Sequence, residues 1–273
     1  MNFLEALLDR IERLGTRLCI GLDPRPEWHP PGVDLWTHCR DVLEACAPYA
    51  CAVKPQLAFF EAQGLGGLEV LYRVLDLARE MEIPVIVDGK RGDIGSTAEA
   101  YARAWLRGPR AGSALTVHPY LGRDSLDPFV AAAREEGGAI FCLVRTSNPG
   151  ADDLQARDLG GRTVAEEVAG WIADYHAEVV GYGPVGAVIG ATRPAELSDW
   201  RSRLPKSWLL LPGVGAQGAR PKDLTPAFDR RGMGAIVAAS RAVEYASRER
   251  DFAIAAAQTA RALARDIQDA LPR

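Results

Sequence analysis

The sequence has no apolar run of the roughly 18 to 20 residues that a membrane span requires. Its first ten residues, Met1 to Arg10, place charged residues between apolar ones at helical spacing. A signal peptide has an uninterrupted apolar stretch instead. We therefore expect a cytoplasmic protein without a membrane segment.

Cysteine is also scarce, with 5 in 273 residues, and no two are spaced as Cys-x-x-Cys. An odd number without such a pair disfavours a disulfide framework or a thiolate metal site. We interpret Cys39, Cys46 and Cys51 as core thiols, and we expect Cys19 and Cys142 to be reduced and buried as well.

The sequence contains no stretch that concentrates Lys and Arg, and its formal net charge is -4. Because phosphate backbones bind to basic surfaces, this composition disfavours a nucleic-acid partner. A small anionic ligand needs only a local positive site, so this class of ligand stays open.

What the sequence does have is a regular alternation of short apolar runs with amphipathic helices. The predicted strands are 17–22, 51–54, 84–87, 114–117, 139–144, 185–189, 208–211 and 235–239. With no Pro/Ser-rich linker between them, these units predict one domain over residues 1–273, a (β/α)8 TIM barrel with an extra N-terminal helix near residues 2–14. A doubly wound open sheet is the alternative. The barrel is favoured because polar residues follow nearly every strand, where barrels place their active sites.

The most informative stretch is 84–97, which reads Pro-Val-Ile-Val-Asp-Gly-Lys-Arg-Gly-Asp-Ile-Gly-Ser-Thr. Its apolar start predicts a buried strand. Asp88 and Lys90 are two residues apart, so their side chains share a face if the strand continues through them. Asp93 follows in a glycine-rich turn, which places a cation between two carboxylates where the strand ends.

The next helix is predicted to begin at this turn. Ser96 is followed three residues later by Glu99, the spacing of a capping box.

Charged residues end the first three predicted strands, namely Asp23, Lys54, Asp88 and Lys90. A closed barrel would bring them together over its mouth. Any one of them alone is an ordinary surface charge or structural ion pair, and a solvated salt-bridge network at the rim is the alternative for the whole set.

The chemistry of Lys90 follows from its neighbours. A Schiff-base lysine must be neutral, whereas the flanking carboxylates favour the ammonium form, so aldolase chemistry is disfavoured. An ammonium group suits the stabilisation of a developing carbanion and its protonation. Paired carboxylates also bind Mg²⁺, but Lys54 and Lys90 already offset their charge, and we predict neither a metal nor a cofactor.

A second candidate site lies after the last two strands. The glycine-rich turn 213–218 follows strand seven, and Ser240-Arg241 follows strand eight, which is the usual phosphate position in barrels. Glycine amides, the Gln217 amide and the Arg241 guanidinium would form an anion pocket. The alternative is a tight strand-to-helix connection with no ligand.

Two other polar residues near strand ends receive structural interpretations. Ser147 lies in Ser-Asn-Pro-Gly, which has plain turn chemistry. His118, in His-Pro after strand four, has no obvious acidic partner and is interpreted as a loop or packing histidine.

Taken in order, these segments resemble the orotidine 5'-phosphate decarboxylase family in its longer bacterial form, often called type 2. The strongest match is residues 88–97, Asp-Gly-Lys-Arg-Gly-Asp-Ile-Gly-Ser-Thr, which resembles the family signature Asp-x-Lys-x-x-Asp-Ile-x-x-Thr. The supporting segments are 21–24, 53–55, 146–150, 212–218 and 239–241. The resemblance spans nearly the whole chain, with no departure at these positions.

The resemblance implies a cofactor-independent carboxy-lyase that converts orotidine 5'-phosphate to UMP, the last step of de novo pyrimidine biosynthesis. It implies that Lys90 protonates C6 of the pyrimidine after CO2 leaves. Lys54, Asp88, Lys90 and Asp93 would form an alternating charged tetrad, with Asp93 contributed to the neighbouring subunit's site in a homodimer. The other implied contacts are Asp23 and Lys54 at the ribose, Thr97 from the partner chain, Ser147 at the base, and Gln217 and Arg241 with the amides around Gly215 and Ser240 at the phosphate.

Two rival functions remain at this stage. The first is a metal-dependent sugar-phosphate lyase or decarboxylase of the same suprafamily, whose members carry an acidic metal ligand where this chain has Lys54. The second is a catalytically silent phosphate-binding barrel, which would bind a nucleotide without releasing CO2.

Overall fold

The computed structural model describes residues 1–214 and 220–272. Parallel strands alternate with helices along the chain. The strands are β1 (Leu18–Leu22), β2 (Ala52–Pro55), β3 (Ile86–Arg91), β4 (Ala114–Val117), β5 (Ala139–Arg145), β6 (Val185–Ile189), β7 (Leu209–Pro212) and β8 (Ala235–Ala239). Each predicted strand is therefore confirmed, although β3 extends further than predicted.

The α-helices of the described residues are α1 (Phe3–Leu14), α2 (Leu35–Cys46), α3 (Leu57–Glu61), α4 (Gly64–Glu80), α5 (Gly95–Leu106), α6 (Asp127–Glu135), α7 (Val164–Asp174), α8 (Pro194–Arg203), α9 (Arg241–Glu244) and α10 (Phe252–Asp269). Short 3-10 turns cover Pro26–Trp28, Ala47–Tyr49, Gly108–Arg110, Arg123–Ser125, Pro149–Asp153 and Pro221–Ala227. None of these helices is both long and apolar enough to cross a membrane.

The strands form one 8-stranded sheet in the order β2-β1-β8-β7-β6-β5-β4-β3. The two end strands approach each other through the isolated parallel bridges Val53–Val85 and Gln56–Asp88. The sheet thus curves into a nearly closed barrel, which confirms the (β/α)8 prediction over the open doubly wound sheet. The carboxyl ends of all the strands meet at one mouth.

The predicted N-terminal helix is α1, and it closes the opposite end of the barrel. Asn2 and Glu5 form a capping box at its start, and Gly15 ends it in the left-handed conformation at φ +64°. Its buried residues Phe3 and Leu7 belong to the same apolar cluster as the inward-facing strand residues. An edge-to-face contact of 6.2 Å joins the Phe3 ring to the Phe141 ring on β5.

The cysteine interpretation is confirmed, because all the cysteines are free and buried. Burial raises the pKa of Cys19 to about 12, and burial raises the pKa of Cys46 to about 12 as well. Such thiols stay protonated and behave as small apolar core residues.

The predicted capping box at Ser96 and Glu99 is wrong. Helix α5 has Ile94 as its N-cap, and no side chain caps it. Gly95, at φ +50°, starts the helix two residues earlier than a Ser96 N-cap predicts. The carboxylate of Asp93 instead accepts the backbone N–H of Ile94 at 2.8 Å.

Candidate active site

The mouth of the barrel holds a cavity of about 560 Å³. It is lined by Asp23, Lys54, Gln56, Asp88, Lys90, Thr116, Leu143, Thr146, Ser147, Asn148, Gln155, Val188, Leu210, Pro212, Gly213, Ser240 and Arg241. The structure therefore brings Asp23, Lys54, Asp88, Lys90, Ser147, Ser240 and Arg241 to one cavity, as predicted. Asp93 and Thr97 do not line it, and Gly215 and Gln217 lie outside the described residues.

Asp88 is the centre of the charged network. Its Oδ2 accepts from Lys54 Nζ at 2.5 Å, and its Oδ1 accepts from Lys90 Nζ at 2.6 Å. The Lys54 and Asp88 side chains are 7% and 8% exposed, whereas that of Lys90 is 46% exposed. Lys54 and Asp88 thus form a buried pair, and Lys90 extends from that pair into the open part of the cavity.

The charges of this network are mutually stabilising. Burial alone would lower the pKa of Lys54, but the carboxylates of Asp88 and Asp23 outweigh burial and raise it. Burial would raise the pKa of Asp88, but Lys54 and Lys90 hold it well below its usual range. Asp88 and Lys54 therefore remain ionised at neutral pH, which keeps fixed charges inside a partly desolvated cavity.

Sequence reasoning missed two side chains that donate hydrogen bonds to Asp88. Gln56 Nε2 donates to Oδ2 at 3.1 Å, and the Thr116 hydroxyl donates to Oδ1 at 2.9 Å. Thr116 is the polar residue of the otherwise apolar strand β4, and that isolated polarity was the signal that could have identified it. Gln56 directly follows β2, at the same level of the barrel as the charged residues.

Asp23 follows β1 at the edge of the cavity. Burial raises the pKa of this carboxyl group, while Lys54 and a hydrogen bond from Ser240 oppose the increase. Its Oδ1 is buried without a hydrogen-bond partner among the described residues. A buried carboxylate oxygen with no donor is suited to accept a bond from a ligand hydroxyl.

A buried glutamate links Asp23 to His38 on α2. Glu244, the last residue of α9, is 0% exposed, and its Oε2 accepts the backbone N–H of Asp23 at 2.8 Å. Its Oε1 lies 3.5 Å from Nε2 of His38. Burial and then the charge of Asp23 raise the pKa of Glu244 well above its usual range. Sequence reasoning missed Glu244, which looks like any other acidic residue of a short helix.

Only part of the predicted phosphate-binding site lies in the described residues. Ser240 follows β8, Arg241 is the first residue of α9, and both line the cavity with Gly213. Gly21 on β1 permits the close approach of Ser240, since a Cβ at Gly21 would lie 1.9 Å from the Ser240 hydroxyl oxygen. This contact sets the position of the β8 end against the β1 end.

On the other side of the cavity, Ser147 lies in the loop after β5. Gln155 holds this loop, because its Oε1 accepts the backbone N–H of Thr146 at 2.8 Å and its Nε2 donates to the Thr146 hydroxyl at 2.8 Å. The apolar residues Leu143 and Val188 line the cavity beside it. A polar group next to an apolar surface can bind the edge of a planar ring.

Asp93 does not join the network within one chain. In the described residues it bonds to its neighbour Ile94 rather than to Lys54 or Lys90. Thr97 is exposed, and Ile94 is 57% exposed. The charged group assembled by a single chain is therefore Lys54, Asp88 and Lys90.

His118 packs against the loop after β3. A Cβ at Gly92 would lie 2.4 Å from the His118 ring, so the ring fills the space beside that glycine. His118 does not line the cavity, which agrees with its interpretation as a packing residue.

The described residues contain no group of three or more His, Cys, Asp or Glu side chains arranged to hold a metal ion. At the mouth, lysine ammonium groups occupy the positions beside the Asp88 carboxylate. The negative charge of Asp88 is therefore offset by lysine side chains of the same site.

A (β/α)8 barrel with a lysine–aspartate–lysine network in its mouth has the architecture of a barrel enzyme, whose active site lies at the carboxyl ends of the strands. The model of the orotidine 5'-phosphate decarboxylase / HUMPS family matches residues 16–256. The chain belongs to this family.

Individual relatives agree with the family match. A protein of Deinococcus radiodurans named orotidine 5'-phosphate decarboxylase is 51% identical over 265 residues, covering 97% of this chain and 96% of the relative. A relative of the same name from Rhodopirellula baltica is 42% identical over 279 residues, covering 94% and 92%. The structure of Leishmania donovani OMP decarboxylase superposes with a TM-score of 0.81 at 36% identity, covering 98% of this chain and 100% of that chain.

Proposed function

We propose that the cavity at the barrel mouth is where this chain, as one domain over residues 1–273, converts orotidine 5'-phosphate to UMP. The activity is that of a carboxy-lyase of pyrimidine biosynthesis, as the family and its relatives indicate. The observation that carries the assignment is the Lys54–Asp88–Lys90 network, which shares one cavity with Ser240 and Arg241.

The reaction breaks the bond between C6 of the pyrimidine and its carboxylate. CO2 leaves, the bonding electron pair stays on C6, and Lys90 donates a proton to that carbon. The ring offers no electron sink for this carbanion, so a preorganised ammonium group must lower the barrier. The 46% exposure of the Lys90 side chain lets solvent return a proton to it after each turnover.

Asp88 acts on Lys90 and on the substrate. Donors from Lys54, Gln56, Lys90 and Thr116 hold both of its carboxylate oxygens. A carboxylate fixed in this way keeps the ammonium group aimed at C6 and places negative charge beside the carboxylate that leaves.

The rest of the substrate lies across the cavity. Asp23 and Lys54 contact the ribose, and Ser147 donates a hydrogen bond to the base. Ser240 and Arg241 hold the phosphate, together with Gly215 and Gln217, which lie outside the described residues. Binding energy from the phosphate, far from C6, supports closure of the site and desolvation of the reacting carboxylate.

The proposed enzyme is a homodimer. Asp93 is half-buried and Thr97 is exposed beside β3, and in the described part of the chain Asp93 forms no ion pair with Lys54 or Lys90. We assign both to the neighbouring subunit's site, where Asp93 completes the alternating tetrad with Lys54, Asp88 and Lys90.

A metal-dependent lyase of the same suprafamily is the first rival. Such enzymes need an acidic ligand at the position of Lys54, and here Lys54 is buried and paired with Asp88. The silent phosphate-binding barrel is the second rival. A barrel that only binds phosphate does not need a buried carboxylate paired with two lysines, such as Asp88.

One assay distinguishes the three functions. The purified protein is mixed with orotidine 5'-phosphate, and the loss of pyrimidine absorbance is followed with and without a chelator. We expect equal rates in both samples. A rate that collapses with the chelator and returns with Mg²⁺ would support the metal-dependent lyase, and binding without any absorbance change would support the silent barrel.

A further inference from the structure

The backbone that carries Lys90 departs from regular strand geometry. Val87 pairs with Leu115, and the next paired position is Arg91 with Val117. Residues 88–90 of β3 therefore lie opposite the single residue Thr116 of β4. Asp88 and Lys90, which both line the cavity, therefore lie in a bulged segment of the strand.

Lys90 has a left-handed backbone conformation, with φ +44°. Among the described residues other than glycine, only Glu82 shares a positive φ. Such a conformation is strained for a lysine and persists only when its surroundings hold it. The proton donor of the proposed reaction therefore starts from a backbone that needs support.

The Thr116 hydroxyl supplies that support. Its oxygen accepts the backbone N–H of Lys90 at 2.9 Å, and it donates to Asp88 Oδ1 at 2.9 Å. Asp88 Oδ1 is also the atom that binds Lys90 Nζ. Since a hydroxyl has one proton and two lone pairs, both bonds can exist at once. The Thr116 side chain is 1% exposed, so water does not compete for either bond.

We propose that Thr116 is a positioning residue for Lys90. Its hydroxyl accepts the Lys90 backbone N–H and donates to the Asp88 carboxylate, which in turn binds the Lys90 ammonium group. It therefore helps to position both the backbone and the ammonium group of Lys90. The inference rests on the proposed function, in which Lys90 protonates C6. Thr116 acts through Lys90 and Asp88, and its loss should reduce the chemical step more than ligand binding.

The test compares Thr116→Val, which has nearly the same shape but no hydroxyl, with Thr116→Ser, which keeps it. Removing a correctly placed donor or base typically costs about 10² to 10³ in rate, so an indirect effect on Lys90 should cost about 10- to 100-fold in kcat. We expect Thr116→Val to show that loss while the Kd of UMP changes by less than about threefold. Thr116→Ser should restore kcat to within about threefold of the wild type.

Thr16 offers a matched control. Like the Thr116 hydroxyl, its hydroxyl both donates and accepts a hydrogen bond. It donates to the Tyr49 carbonyl at 2.9 Å and accepts the backbone N–H of Leu18 at 3.1 Å. It is 2% exposed but lies before β1, at the other end of the barrel. Thr16→Val should lower Tm without lowering kcat. An equal loss of kcat in both valine variants, or an unchanged kcat in Thr116→Val, would overturn the proposal.

A second measurement does not depend on activity. Hydrogen exchange of the Lys90 amide should be faster in Thr116→Val than in the wild type, because that N–H loses its acceptor. An unchanged exchange rate would overturn the proposal even if the wild type proved inactive on orotidine 5'-phosphate. If Thr116→Val does not fold, Thr116→Ala removes the same hydroxyl and must show the same two effects.

Discussion

Lys54 and Asp88 form a buried ion pair of 2.5 Å across the junction of β2 and β3. In the part of the chain that the structure describes, this junction has only two backbone bridges, one of which joins Gln56 to Asp88. The Gln56 side chain also donates to Asp88 at 3.1 Å. The same carboxylate that holds Lys90 therefore helps to close the barrel.

Asp88→Asn should destabilise the fold as well as abolish activity. The substitution leaves Lys54 buried without its counter-charge, which typically costs about 3 to 5 kcal/mol. We expect a corresponding decrease in the free energy of unfolding, measured by urea titration. Lys90→Ala is the control, because its half-exposed side chain should contribute less than about 1 kcal/mol. Equal stability of the two variants would show that the Lys54–Asp88 pair does not hold the junction.

Lys90→Ala should lose turnover but keep ligand binding. Loss of both general-acid catalysis and charge stabilisation should lower kcat by at least about 10⁴-fold. Calorimetry should still detect the binding of UMP to this variant, because the proposed phosphate-binding residues Ser240 and Arg241 are unchanged. Retained turnover would remove Lys90 from its proposed role.

Asp23→Asn should separate stability from binding. Burial raises the pKa of Asp23 and its Oδ1 has no donor among the described residues, so the charged form is costly in the free protein. We expect the asparagine variant to be at least as stable as the wild type in thermal unfolding. Its KM should rise by about tenfold or more, because the charged acceptor of a ligand hydroxyl is replaced by a neutral amide oxygen. A lower Tm together with an unchanged KM would contradict the ribose-binding role.

Stability should decrease in mild acid because of His176. This buried ring accepts the Val185 N–H at Nε2, and burial, with the charges of Arg134 and Lys206, lowers its pKa to about 4. The unfolded value is near 6.5, so between these pH values the unfolded state binds more protons than the folded state. The free energy of unfolding should therefore increase from about pH 4 to 6.5, and His176 can account for up to about 3 kcal/mol of that increase.

His176→Gln tests this assignment, because glutamine does not titrate. Urea titrations between pH 4 and 7 should give a shallower increase for the variant than for the wild type. His38, whose pKa is lowered by burial to about 3, is expected to account for part of the slope that remains. Identical slopes in the two proteins would exclude His176 as a source.

Mixed dimers test the sharing of the site. If Asp93 acts in the neighbouring subunit, Lys90→Ala and Asp93→Ala are each inactive alone, yet one of the two sites in a mixed dimer is intact. Unfolding and refolding the two variants together in equal amounts should therefore restore about a quarter of the wild-type activity. Refolding each variant by itself is the control. No recovery in the mixture would place Asp93 in its own chain's site, and an Asp93→Ala variant that is active alone would place it outside the active site.

Local signals in the sequence were sufficient for the order of the elements and for several residues of the cavity. Asp23, Lys54 and Asp88 lie near the carboxyl ends of apolar strands. A barrel gathers these ends at one mouth, so the proximity of the three residues could be inferred from the fold class. The shared face of Asp88 and Lys90 was also predicted. The irregular backbone of this segment was not predicted, since a regular strand was assumed where the structure has a bulge opposite Thr116.

The alternation of strands and helices, the buried thiols and the charged residues at the strand ends could all be inferred from the sequence, because each depends on residues close together in the chain. The groups that hold those charges could be identified from the folded structure alone. Thr116 is 28 positions from Asp88, and Glu244 is 221 positions from Asp23. Such contacts depend on strand register and on closure of the barrel, and no local pattern of residues fixes either one.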